Sequence, residues 1–239
     1  MIEYVDDLSI SEFKDMWNNF YDTKYGNYGK LINRTKELFI RPVWYFNFLL
    51  ENRPILKTDK VLEIGCGEGN NIRMIAPMVS EMHGIDISKS AITRAKKWFD
   101  NSVHKDIIKV REGHSLDCYE DNYFDWIFSI TVFQHTKRKT AIQYFKESYQ
   151  KLKKGGVVFF QFIETPYNVN NDLLPKSIHA DIGWTSKMIE TEIENAGFEV
   201  FGINKWDVTC LGRNKEVYKI DRKDKTKAPF YWNFLVAKK

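Results

Sequence analysis

Cysteine is scarce in this 239-residue chain, which has only Cys66, Cys118 and Cys210. Three scattered thiols suit neither a disulfide framework nor a zinc knot, so a reducing, cytoplasmic compartment is expected. Long apolar runs are also missing. The strongest, Val43 to Leu50, is short and broken by Asn47, whereas a membrane helix needs roughly 20 apolar residues. No membrane partner is expected. The opening Met1-Ile2-Glu3-Tyr4-Val5-Asp6-Asp7 is acidic where a secretory signal is basic and then apolar. Charge of one sign is lacking as well: 36 Lys and Arg against 32 Asp and Glu leave a net +4, too mild to demand a polyanion. The basic clusters around Lys137, Lys153 and Arg222 are spread out and read as solvated helix ends and loops. There is no repeat of solenoid period and no low-complexity tract.

The composition that remains is 43% hydrophobic and 28% charged. It supports a substantial core under a wet surface and excludes disordered, collagen-like and coiled-coil classes. Aromatics at 15% indicate either a thick core or a ring-lined pocket.

Residues 1–58 read as a helical cap. Ser9 and Glu12 have capping-box spacing ahead of an apolar stripe at Phe13, Trp17, Phe20 and Tyr21. A second helix is expected over Leu31 to Leu50, bent near Pro42. From Lys60 the texture changes to alternating strands and helices over residues 59–239. Strands are expected at Lys60 to Ile64, Met82 to Ile85, Ile107 to Arg111, Phe124 to Ile130 and Val157 to Ile163. Helices are expected from about Asn70, from Ser88, over Thr140 to Leu152 (stopped by Gly155-Gly156) and from Thr185. Right-handed strand–helix–strand units make parallel strands with helices on both faces. The last two strands, Phe198 to Trp206 and Phe230 to Ala237, have no helical pattern between them and form an antiparallel edge pair. The fold class is α/β: a doubly wound, mostly parallel seven-stranded sheet with an antiparallel last strand under an N-terminal helical cap.

The most informative segment is Val61-Leu62-Glu63-Ile64-Gly65-Cys66-Gly67-Glu68-Gly69-Asn70. A strand running into close glycines and then a helix lets a ligand lie against bare backbone at the carboxyl end of the sheet. Asp86, about twenty residues on at the end of the next strand, can accept from both hydroxyls of an adenosine ribose. A nucleoside cofactor follows. A dinucleotide would set its pyrophosphate beside Glu63 and Glu68, with ~1 to 4 kcal/mol of repulsion at stake per close pair. A ligand carrying an ammonium and a sulfonium prefers those carboxylates, which favours S-adenosylmethionine. NAD(P) or FAD, and a glycine turn with no ligand, are the competing readings.

With these residues in view, the chain resembles the class I, Rossmann-like S-adenosylmethionine-dependent methyltransferases of small-molecule type. The resemblance runs through Val61 to Gly69, Gly84-Ile85-Asp86-Ile87-Ser88, Phe124 to Ser129 and Leu152 to Gly156. It implies that Glu63, Gly65, Cys66 and Gly67 hold the methionine part of the cofactor. Asp86 would take the ribose, His114, Ser115 and Leu116 would border the adenine, and Ile87, Ser129 and Ile130 are further candidate cofactor contacts. At His114 the family usually carries an acidic residue, so Asp117 or a main-chain carbonyl is the alternative acceptor for the adenine amino group. Tyr25 and Tyr28 are candidates to close over the cofactor, and Arg41 to pair with its carboxylate, with core packing as the competing role of all three.

A cofactor that arrives activated leaves the protein to align a nucleophile and exclude water. A base is needed only for a hydroxyl or a protonated amine, and His135 is the candidate, with helix capping or pocket shaping as its competing role. Phe133, Gln134, Tyr167 and His179 are candidate substrate contacts, the last two on the long connection from Glu164 to Asp181. His83 and His104 read as structural. No metal is expected, because no histidine, cysteine or carboxylate set has ligand spacing. The function expected is methyl transfer to an oxygen or nitrogen of a small metabolite by in-line displacement, with a small-molecule acceptor and no nucleic-acid partner. An RNA or protein methyltransferase and a non-catalytic cofactor-binding protein are the alternatives.

Overall fold

The computed structural model describes residues 4–5, 9–22, 53–164, 174–175, 182–207 and 231–239. Seven strands form one sheet: β1 (Lys60–Ile64), β2 (Glu81–Asp86), β3 (Ile108–Glu112), β4 (Phe124–Ser129), β5 (Leu152–Glu164), β6 (Glu199–Asp207) and β7 (Tyr231–Lys238). Their order is β3-β2-β1-β4-β5-β7-β6. Strands β1 to β5 pair in parallel, and β7 runs antiparallel to both its neighbours. Five α-helices are described: α1 (Ile10–Phe20), α2 (Asn70–Ile75), α3 (Lys89–Phe99), α4 (Arg138–Lys151) and α5 (Ser186–Asn195).

The central strands are buried on both faces, as crossover helices require. Val61, Leu62, Glu63 and Ile64 of β1 are all buried. On one face Leu62, Ile64 and Phe160 pack against Phe145 of α4 and Ile189 of α5. On the other, Val61, Trp126 and Phe159 pack against Ile72 of α2 and Phe99 of α3. Phe133, Phe145 and Phe160 interlock with centroids 5.1 to 5.3 Å apart, so much of the aromatic content is core. The caps are in place: Ser9 and Glu12 make the reciprocal box of α1, Ser88 Oγ accepts from Ala91 N–H, and Thr185 accepts from Met188 N–H.

One boundary differs from expectation. Gly155 and Gly156 do not stop α4, which ends at Lys151 and passes directly into β5 at Leu152. Pairing with β4 then skips from Phe124–Leu152 to Trp126–Val157, a bulge that absorbs residues 153–156. Main-chain bonds between Lys239 and Gly155 and Gly156 satisfy that bulge. The expected helix over Leu31 to Leu50 lies outside the described residues.

Candidate functional site

The strand order reverses between β1 and β4, and in open α/β sheets ligands bind outside the carboxyl ends of the strands at such a switch point. A cleft of about 140 Å³ lies there, lined by Tyr21, Glu63, Gly67, Glu68, Asn71 and Thr131 among others. The backbone of the glycine loop forms its floor. Gly65 and Cys66 N–H both donate to the Ile85 carbonyl, at 2.7 and 3.1 Å, which ties the end of β1 to β2. Gly65 has φ +70° and Gly67 φ +52°, a left-handed path open to glycine. A Cβ at Gly65 would overlap the Val132 side chain, and one at Gly67 would meet the Tyr21 hydroxyl at 2.5 Å. Gly65 needs glycine for close approach as well as for conformation, and Gly67 for conformation.

Three carboxyl groups surround this loop in three different states. Asp86, at the end of β2, accepts from Gly67 N–H through Oδ2 and from Ser88 N–H through Oδ1, each at 2.8 Å. Burial pushes its pKa up, and the two amide bonds oppose that shift. Glu63 is 1% exposed. Its Oε1 takes a bond from Asn71 Nδ2 at 2.6 Å, while Oε2 has no partner among the described residues. Burial pushes Glu63 up to about 8, the Asn71 bond lowers it, and nearby Asp86 raises it further. Glu68 also lines the cleft, but the Arg94 guanidinium lies 3.7 Å away, so this carboxylate has a cation beside it and Glu63 has none among the described residues. The electrostatic demand of the loop therefore centres on Glu63.

Helix α1 covers these loops. Asn18 Oδ1 accepts from Ser88 Oγ at 2.9 Å and from Ser90 N–H at 3.2 Å, Asp22 accepts from Ser90 Oγ, and Lys14 pairs with Glu112. None of its eleven residues is fully buried, so polar contacts contribute much of its attachment.

The other sequence candidates distribute around the same edge. Gly113 N–H donates to the Asp86 carbonyl, which brings residues 113–116 beside Asp86. Within that segment His114 is exposed, Ser115 Oγ donates to Asp117, and Leu116 N–H donates to Glu147 of α4 at 2.8 Å. Ile87 is half-buried. Ser129 is buried and donates to the Ile64 carbonyl, which ties β4 to β1. Ile130 and Cys66 line the cleft, and burial raises the Cys66 thiol well above its ordinary value. Phe133, Gln134 and His135 form a 3-10 turn beyond β4. Phe133 is wholly buried in the core rather than exposed to a ligand. The His135 ring meets the edge of Trp17 from α1, with centroids 5.5 Å apart. Away from this edge, His83 bonds Glu81 within the structure, as a structural histidine should. Tyr25, Tyr28, Arg41, Tyr167 and His179 lie outside the described residues.

Sequence reasoning gave no site role to Tyr21, Asn71, Asn18 or Thr131. Tyr21 is the last member of the α1 aromatic stripe, and Asn71 lies one turn past the glycine loop. Those positions were the available signals.

Residues 61–156 match a family model described as a methyltransferase domain. The chain is similar to a sterol 24-C-methyltransferase of Saccharomyces cerevisiae, 27% identical over 173 residues that make up 64% of this chain and 43% of that protein. It spans less than half the length of the sterol methyltransferases it matches first. Its fold resembles a Haemonchus contortus phosphoethanolamine N-methyltransferase 2 complexed with phosphomonomethylethanolamine and S-adenosylhomocysteine. The TM-score there is 0.67 at 20% identity, over 98% of this chain and 61% of that one. It also resembles the cyclase SpnF, with a TM-score of 0.62 at 14% identity over 81% and 78% of the two chains. One fold thus carries different chemistries, and the site has to decide between them.

Proposed function

On the premise that this chain belongs to the class I S-adenosylmethionine-dependent methyltransferase family, as its methyltransferase domain over residues 61–156 and its strand order indicate, we propose that it moves a methyl group from that cofactor to an oxygen or nitrogen of a small metabolite. The observation that carries the proposal is the Oε2 of Glu63, a carboxyl oxygen buried at the cleft that has no partner among the described residues, on a group with one amide donor and no cation among them. Such a group gives up its proton to pair with a positively charged N–H donor, whereas a pyrophosphate offers it no donor and would be repelled by its ionised form.

The chain's residues suit the proposed guest. Glu63 would take the ammonium of its methionine part, lying along the bare backbone of Gly65 to Gly67. Asp86 has each oxygen bonded once to an amide, and its remaining lone pairs would accept from ribose hydroxyls. Residues 113–116 would flank the adenine, and Tyr21 would cover the glycine loop from above. When bound, the cofactor supplies a methyl group on a positively charged sulfur, open to in-line displacement by an acceptor lone pair. His135, held against Trp17 beyond β4, would receive the proton of a hydroxyl or ammonium acceptor. α1 would exclude water.

Calorimetry with S-adenosylmethionine and S-adenosylhomocysteine tests the pocket, and the expected result is saturable one-to-one binding of both. Incubation of a metabolite panel with isotopically labelled methyl donor then tests transfer. Absence of heat with either compound removes the proposal.

A further inference from the structure

Beyond β4 the chain takes an unusual turn. Thr131 has φ +60°, a left-handed conformation that strains a β-branched residue. It is exposed at the cleft, and its own hydroxyl is spent on the Ile130 carbonyl at 2.7 Å. The turn is held from the neighbouring strand: Thr131 N–H donates to Gln161 Oε1 of β5 at 2.6 Å.

Gln161 is an expensive residue where it stands. It is 0% exposed between Phe160 and Phe162, and its Nε2 has no partner among the described residues. A buried amide with half its polar atoms unsatisfied destabilises a core that an apolar side chain would fill without loss. The bond to Thr131 is what that cost secures. Two features depend on the turn. Val132, the next residue, lies against Gly65 so closely that a Cβ there would overlap it. The Val132 carbonyl also accepts from His135 N–H at 2.8 Å and Thr136 Oγ1 at 3.0 Å, which anchors the turn that carries His135.

We propose that Gln161 is a positioning residue of the active site: it holds Thr131 left-handed, and thereby seats Val132 on the glycine loop and sets the His135 turn. This rests on the cleft being the methyl-donor site, although Gln161 itself touches no reacting atom.

Two measurements on the full chain test it. Hydrogen exchange reads the Thr131 amide directly and needs no ligand. Gln161→Leu should speed that exchange at least tenfold, and Gln161→Met, closer in shape to glutamine, gives the same readout if leucine does not fit. Calorimetry with S-adenosylmethionine reads what the bond serves. Gln161→Leu should weaken binding by about fivefold to thirtyfold, the scale of one buried hydrogen bond. Adding Thr131→Gly, which adopts φ +60° unaided, should bring the affinity back to within about threefold of the unsubstituted chain. A merely structural glutamine would show no such rescue. Unchanged exchange at Thr131, unchanged affinity, or a loss that glycine does not restore overturns the proposal. If the unsubstituted chain binds no S-adenosylmethionine, the donor-site reading falls, and with it the role of Gln161 in serving that site. The exchange arm would still show whether Gln161 holds Thr131.

Discussion

Asn71 Nδ2 donates to one oxygen of the Glu63 carboxyl group at 2.6 Å and leaves the other without a hydrogen-bond partner among the described residues. Around Glu63 lie a second buried carboxyl group, Asp86, the Cys66 thiol, and Glu68, which faces Arg94. Burial therefore keeps Glu63 protonated up to about pH 8 in the ligand-free chain. The sign follows from linkage. The unfolded chain releases this proton near pH 4 to 5 and the folded chain near 8, so folded stability falls as pH rises between those values. A bound cation reverses the balance and expels the proton. Affinity for S-adenosylmethionine should therefore rise between pH 6 and 8, by up to about tenfold per unit, and then level off. Glu63→Gln should flatten that profile and abolish proton release, measured by calorimetry in buffers of different ionisation enthalpy.

Asp86 joins two loops and, on the proposed function, a ribose. Asp86→Ala should weaken cofactor binding by ~1 to 3 kcal/mol, since hydroxyl donors lose a charged acceptor. It also frees the Gly67 and Ser88 N–H groups, so the melting temperature should fall with it. Asp86→Asn keeps one acceptor oxygen and should lose less on both counts. Wild-type affinity in the alanine variant would remove Asp86 from the site.

Helix α1 is docked through side chains that water can compete for, and Asn18 makes two of those bonds, to Ser88 and Ser90. Asn18→Ala should cost about 1 to 2 kcal/mol of docking. The expected readout is faster proteolytic cleavage within residues 10–22, with a several-fold loss of cofactor affinity because Tyr21 no longer stays over Gly67. The sheet itself should melt at an unchanged temperature.

The sheet was legible in the sequence because its signals are local. Ser9 with Glu12, Ser88 and Thr185 are caps whose bonds close within three residues, and β1 ends in glycines whose conformation almost no other residue accepts. The loop at Glu63 was legible for the same reason. What was not legible depends on meetings across the chain. Gln161 lies thirty residues from the Thr131 amide it accepts from, and Asn18 lies seventy residues from Ser88; no spacing rule links such pairs. The bulge at residues 153–156 is hidden in the sequence because Gly155-Gly156 is the usual helix stop, and its partner, Lys239, is more than eighty residues away. Arg94 beside Glu68 likewise appears only when α3 is folded against the loop.

His135 separates two roles that a single substitution can tell apart. His135→Ala should lower turnover by about a hundredfold or more with a hydroxyl or ammonium acceptor, the scale of lost general-base catalysis. Cofactor affinity should change less than threefold if the ring acts as a base rather than as a packing partner of Trp17. The acidic limb of the pH–rate profile should vanish with it. Equal losses in affinity and turnover would make the histidine a packing partner of α1.

The opposite end of the sheet offers a control of reversed sign. Glu81 at the start of β2 is met by Lys109 Nζ at 2.6 Å, Tyr123 Oη at 2.8 Å, His83 Nε2 at 3.0 Å and Lys60 Nζ at 3.0 Å. Burial raises its pKa, but the bonds to Lys109, His83, Lys60 and Tyr123 outweigh that and hold the carboxyl group far below the usual carboxylate range. A depressed carboxylate stabilises the fold above its unfolded pKa, near 4, and loses that contribution as pH falls toward the folded value. Glu81→Gln should therefore destabilise the chain at pH 7 by about 1 kcal/mol, a modest figure because the cluster is partly exposed and screened. The gap in urea midpoints between the two chains should narrow below about pH 4. Glu63, buried with no cation among the described residues, and Glu81, bonded to two lysines, are two glutamates on adjacent strands. Stability should fall with rising pH through the first and rise with pH through the second. Of these two glutamates only Glu63 should affect cofactor affinity, so a change in S-adenosylmethionine binding in Glu81→Gln would mean that the two ends of the sheet are coupled.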